Sequence, residues 1–282
     1  MAITQYTSIS SFVAGIYEDS VLVAREAGLM PPLVSRYSAQ GRMVRTFSTR
    51  PEVSYESVAD AVDYSNPTTF GKSSVGTLTP AEVIAQFILT DANIESDPDN
   101  ARNQAAQELG EAAAKKVDTD LLTVFSSFTV DTGTANSAFS STIMADAISR
   151  LRAAYAPTGA LRAVLHPYHW HDVFIETGVP AATYANKDEM TTQALRDYWM
   201  ANYLGVPVYT SANIGVDGND DAISAVFAPQ AIALDIRRAY RVEPERDASL
   251  RAWELNATMV YATGLGERPT WGVKITADAT AP

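Results

Sequence analysis

Between about residues 36 and 93 the chain shows no helical periodicity, and this constrains the fold more than any other feature. Gly41, Pro51, Pro67, Gly71, Gly76 and Pro80 break the stretch into short β-prone pieces, among them 43–47 and 83–89. A compact domain seldom contains so long an excursion unless the segment has a task of its own or is disordered. Its aromatic and β-branched residues, including Phe47, Val53, Tyr55, Val58, Phe70 and Val75, are too many for a free linker. Two arrangements would cover them: a long hairpin buried on another copy of the chain, or an ordinary antiparallel edge of the same core. We take the first as the working expectation.

A long helix should follow over about 97–126. Ser96 or Asp97 can cap it, Pro98 suits the first turn, and Asp99 suits the positive end of the helix dipole. Ala101, Ala105, Leu109, Ala113, Val117, Leu121 and Phe125 recur every fourth residue. Such a stripe drifts by about 40° per step, so it winds and meets different neighbours along roughly 40 Å of helix. Glu111 and Lys115 are placed to pair on its outer side.

Elsewhere the pattern is mixed. A short helix is expected at 18–27, with Tyr17, Val21 and Ala24 on one face and Gly28 and Pro31-Pro32 as stops. A strongly amphipathic helix is expected over 141–155, burying Met144, Ala147, Ile148, Leu151, Ala154 and Tyr155. A strand at 161–165 and a helix through Trp170 and Ile175 come next, then a helix over 191–203 that Gly205 ends. Short strands follow at 206–210, 223–227 and 232–236. Over 250–261 Trp253, Leu255, Ala257, Met259 and Tyr261 alternate with Glu254, Asn256, Thr258 and Val260, the period of a half-buried strand, and a last strand spans 270–276.

Composition narrows the chemistry. The chain has no cysteine, which excludes disulfides, thiolate metal sites and thiol catalysis. The net charge of −12 argues against tight nonspecific nucleic-acid binding, although residues 1–50 carry a local balance of +2. No run approaches the ~18 apolar residues of a membrane span, and the start lacks a secretory pattern, so cytosolic synthesis and no membrane partner are expected.

The three histidines lie in His166-Pro-Tyr-His169-Trp-His171, with Glu176 downstream. Metal ligation needs converging imidazoles; Pro167 should start a helix that leaves His166 outside it, and 169 and 171 diverge by about 200°. A solvated or core-edge cluster is expected, with a metallohydrolase as the rival from another class. Gly71-Lys72-Ser73 lacks the earlier glycine of a phosphate loop. Asp217-Gly-Asn-Asp-Asp221 lacks the glycine and glutamate of a calcium loop, so a solvent-facing turn is expected. No Gly-x-Ser-x-Gly elbow occurs. No enzyme activity, catalytic residue, metal or cofactor is expected.

The order of arm, extended hairpin, spine helix, mixed region and closing strands resembles the Hong Kong 97-type major capsid proteins of tailed phages, whose fold encapsulin shells share. The stretches Leu204-Gly-Val-Pro-Val-Tyr-Thr-Ser211, Ala225-Val-Phe-Ala-Pro-Gln-Ala-Ile-Ala-Leu234 and Arg241-Val-Glu-Pro-Glu-Arg-Asp247 carry the closest local likeness. The resemblance implies an α+β fold with an N-terminal arm (1–35), an extended loop (36–93), a peripheral domain (94–134 and 236–282) and an axial domain (135–235), with tips at 178–190 and 212–221. It implies a virion shell of hexamers and pentamers assembled in the host cytoplasm around double-stranded DNA held weakly, with portal, scaffolding and possible decoration proteins as partners. An encapsulin-like nanocompartment is the alternative within the fold. Inter-subunit contacts would involve Phe47, Tyr55, Phe70 and Lys72 of the loop, and Arg237, Arg238, Arg241, Glu243, Glu245 and Arg246 of the charged run. A crosslink like that of the family's namesake would join Lys72 to Asn256 of a neighbour.

Overall fold

The computed structural model describes Ile16, Ser20 and residues 28–41, 43–49, 53, 55–69, 71, 73–96, 98–178 and 201–281. The expected helix at 18–27 lies outside these, apart from Ser20. Ile16 and Ser20 are both helical and fully buried.

Two sheets organise the body. In the first, β1 (Ser35–Ser38) runs parallel to β10 (Ile232–Asp247), which pairs antiparallel with β11 (Ala252–Leu265), which pairs antiparallel with β4 (Ala81–Thr90). The second has the order β5 (Val130–Asp131), β12 (Gly272–Asp278), β9 (Asp221–Phe227), β6 (Arg162–Leu165), β8 (Val206–Thr210) and β7 (Ala201–Tyr203). A separate two-stranded ribbon joins β2 (Arg45–Thr49) to β3 (Ser73–Leu78).

The helices are α1 (Asp91–Ser96), α2 (Pro98–Thr123), α3 (Ser141–Ala153) and α4 (Pro167–Gly178). The spine helix α2 changes neighbours as its stripe winds. Ala105, Ala106 and Leu109 pack with Leu89 and Leu255, whereas Leu121, Leu122 and the following Phe125 pack with Phe227, Ile232 and Leu234. Lys116 pairs with Asp120 at 2.7 Å, and Glu111 accepts a bond from Gln107; the expected Glu111–Lys115 pair is replaced by these. Helix α3 buries Met144, Ala147, Ile148 and Leu151 against Val226 and Ile275 of the six-stranded sheet. Tyr155 does not join that face: the helix has ended, and this residue turns the chain at φ 57° with its ring 89% exposed.

Three expectations need correction. The stretch 36–93 is not one hairpin, because β1 and β4 at its ends are strands of the body sheet and only 45–78 forms the projecting ribbon and loop. The last strand, expected beside the spine helix, pairs instead with β9 in the six-stranded sheet. Residues 201–203 of the expected helix 191–203 form β7, and 191–200 lie outside the described residues. Leu204 and Gly205 have φ of 52° and 80°, so they make the two-residue primed turn that returns β7 onto β8.

Candidate interaction surfaces

The ribbon is rooted on the outer face of the four-stranded sheet, opposite the spine helix. Phe47 and Leu78 pack on Ala233 and Ala262, and the Phe47 ring lies 5.1 Å from that of Tyr37. The approach is close: a Cβ at Gly264 would stand 2.6 Å from Leu78 Cδ2 and would push that side chain aside. Beside this apolar contact sits a charge clamp. Asp235 is fully buried and accepts from Arg45 Nε at 2.9 Å and Arg237 Nη2 at 2.6 Å. Arg45 also lies over the Tyr37 ring, whose hydroxyl donates to Glu267; burial, then that bond, raises the phenol's pKa. Phe47 and Arg237, expected at a subunit contact, are therefore satisfied inside their own chain, Phe47 at 6% exposure and the Arg237 side chain at 5%.

Beyond the root the loop is different. Every described residue from 53 to 71 is exposed, with Tyr55 at 103%, Val53 at 72% and Val62 at 60%. Tyr64 and Val58 add further apolar surface, while Glu56, Asp60 and Asp63 supply charge without any basic residue between 55 and 69. A large apolar patch left in water marks an interaction site. Phe70 and Lys72 lie outside the described residues.

The charged run lies along β10. Register shifts between Ile236 and Arg238 and between Arg238 and Arg241 are bulges. Arg238 pairs with Glu82, Arg241 with Glu243 at 2.8 Å, and Arg246 forks onto Asp91 at 2.8 and 2.7 Å while covering Trp253. Glu245 stands opposite Glu254 in register. The run is thus largely an intrachain network, with Arg241 and Glu243 still half exposed, at 46% and 55%. Asn256 sits between Glu243 and Gln86 across the strands.

One of the histidines, His169, is built into the core. His169 is fully buried, stacked on Phe139, with Nδ1 2.7 Å from Ser224 Oγ and Nε2 3.1 Å from the carbonyl of Ala277. The carbonyl accepts only, so Nε2 carries the proton and Ser224 donates to Nδ1, while Ser224 accepts from the His166 N–H. Both ring nitrogens are spent on joining α4, β9 and β12, and neither can hold a metal. Glu176 instead accepts from the N–H and hydroxyl of Ser141 at the start of α3, and these bonds lower its pKa. Asp217 accepts from the N–H groups of Asn219 and Asp221, the geometry of a turn. Among the described residues no group of three His, Asp or Glu could hold a metal ion, and no helix is long and apolar enough to cross a membrane.

Burial holds the His169 imidazole at about 4, below its usual 6.5. A histidine depressed in the fold is protonated first in the unfolded chain, so its contribution to stability falls as pH drops from 6.5 towards 4. The stability lost to this residue between pH 7.5 and pH 5 should be about 2 kcal/mol. Urea midpoints of the wild type should show that slope and those of His169→Gln should lack it; parallel pH profiles would refute the assignment.

Several residues escaped the sequence reading. Asp235 was visible as a lone acid within the apolar strand 232–236. Asp118 was visible as an acid beside the stripe of the spine: it is buried and accepts from the N–H groups of Leu29 and Met30 at 3.0 Å each, tying the end of the arm to the helix. Ile84 and Ile88 on β4 gave no signal, because an alternating strand does not say which face is covered.

Comparison with known proteins adds a family and a fold. A family model described as "Phage capsid protein" matches residues 75–275. A capsid structure of the cyanophage P-SCSP1u superposes with a TM-score of 0.69 at 12% identity, over 88% of this chain and 87% of that one. A structure from Mycobacterium phage Che8 gives 0.68 at 21% identity, over 88% and 90%. A virus-like particle from Pyrococcus furiosus gives 0.59 at 11%, over 92% and 97%. A search of curated proteins finds no match.

Proposed function

The chain belongs to the phage capsid protein family, and from that premise we propose how its parts build a shell. It is a structural major capsid protein of the virion, with the Hong Kong 97-like α+β fold, and not an enzyme. In the proposed assembly the copies form hexamers and pentamers, and the loop beyond the ribbon clasps a sibling. The single observation that carries this is the run of apolar residues from Val53 to Tyr64 standing in solvent while the ribbon's root is fully packed. The spine helix with the four-stranded sheet would form the peripheral part, and the six-stranded sheet the axial part, with a tip near 212–221; the other expected tip, 178–190, lies outside the described residues apart from 178. The half-exposed Arg241 and Glu243, with Glu245, belong to the proposed contact surface, together with Tyr55, Phe70 and Lys72.

The acidic balance of −12 fits weak, nonspecific contact with packaged double-stranded DNA. Assembly in the host cytoplasm, with portal and scaffolding proteins and possible decoration proteins, completes the proposal. Neither alternative is favoured. The family match is to phage capsids, and His169 is committed to the core, which removes the basis for a hydrolase.

Electron microscopy and sedimentation of the purified chain test the clasp. Closed shells, tubes or capsomer rings are expected above a threshold concentration. A monomer at every concentration, with the loop folded on its own body, would overturn it.

A further inference from the structure

Among the described residues strand β4 ends the four-stranded sheet, so one of its edges has no neighbouring strand there. It is ten residues long, Ala-Glu-Val-Ile-Ala-Gln-Phe-Ile-Leu-Thr, about 34 Å of backbone. Proteins usually blunt such an edge with lysine, proline, a bulge or shortness. Here the strand carries one charge, Glu82, no proline, and a register with β11 that runs unbroken from Ala81 to Thr90. Its inner face, Val83, Ala85, Phe87 and Leu89, is at least half-buried, whereas Ile84 and Ile88 on the outer face are 63% and 48% exposed.

The sequence of the strand is self-complementary about Gln86. If two copies are laid antiparallel with Gln86 opposite Gln86, Ile84 of each faces Ile88 of the other, Ala85 faces Phe87, Val83 faces Leu89, and Glu82 faces Thr90. The outer face then gains two isoleucine pairs, and no like charges are opposed. A two-fold contact requires this kind of self-match. We propose that β4 is a docking edge for β4 of a second copy, joining two four-stranded sheets across a two-fold axis. That contact presupposes the shell assembly proposed above but is separate from the loop's clasp.

The absence of native cysteine makes the test specific. In purified shells of Gln86→Cys the two thiols would lie directly opposite, within disulfide range. Mild oxidation should convert most subunits to covalent dimers, and Ile84→Cys alone, whose copies stand about 13 Å apart, should give none. Charge supplies a second arm that does not depend on oxidation. Ile84→Lys should cut particle yield several-fold, and Ile84→Lys with Ile88→Glu should restore it, because each lysine then faces a glutamate. Shells that form normally while Gln86→Cys stays monomeric on non-reducing gels, or an unchanged yield for Ile84→Lys, would overturn the β4 contact and leave the shell reading intact. Failure of the wild type to assemble would strike the shell reading first.

Discussion

Replacing Asp235 with alanine is expected to destabilise the chain by about 3–5 kcal/mol, the largest effect of any single side chain at the ribbon's root. The carboxylate is fully buried and is the acceptor for both Arg45 and Arg237. Removing it leaves the Arg237 guanidinium, whose side chain is only 5% exposed, without its counter-charge in a site that water does not reach. Arg45, at 26%, can turn outward, so Arg45→Ala should cost less. Urea unfolding reads both. Limited proteolysis reads the consequence for assembly: with the clamp gone, only Phe47, Leu78 and their neighbours hold the ribbon, and cleavage near 45–49 should quicken. A triple change to leucine at 45, 235 and 237 should recover much of the loss, because replacing a buried ion network by apolar residues is often neutral. An unchanged midpoint for Asp235→Ala would show that the clamp contributes nothing.

That clamp also shows where the sequence stopped being legible. The spine helix could be read because its stripe is local, a matter of spacing within one element. Helix α3 was legible for the same reason through Met144, Ala147, Ile148 and Leu151. Partners distant in sequence were not. Phe47 in an extended segment reads the same whether its cover is Ala233 and Ala262 of its own chain or a neighbour. Residues 81–90 alternate as a strand should, but nothing in them names 252–261 as the partner. Strand β10 was read as ending at Ile236, because the bulges that follow break the period of two just where Arg237 and Arg238 stand adjacent. The alternation of β11 fades past Ala257 for a further reason: Val260 and Ala262 face the ribbon's side and are buried as well.

Shell formation should fail when residues 50–72 are replaced by Asn-Gly. Thr49 is paired with Ser73, so a two-residue turn can close the ribbon without moving its root. The packing of Phe47 and Leu78 and the Asp235 clamp remain, and the unfolding free energy read from urea titration should stay within about 0.5 kcal/mol of the wild type, as for other surface changes. What disappears is the exposed apolar surface of Tyr55, Val58, Val62 and Tyr64. Each such side chain contributes about 1.5–3 kcal/mol when buried, before the cost of ordering the loop on its partner. If about 4 kcal/mol survives per clasp, its loss raises the threshold for assembly on the order of a thousandfold. The shortened chain should therefore sediment as folded monomers or small oligomers where the wild type gives shells. Because a loop of this length can extend roughly 35 Å from its root, it can reach well across an adjacent subunit. Normal shells from the shortened chain would mean that the exposed residues cover nothing, and that subunits are held by their bodies alone.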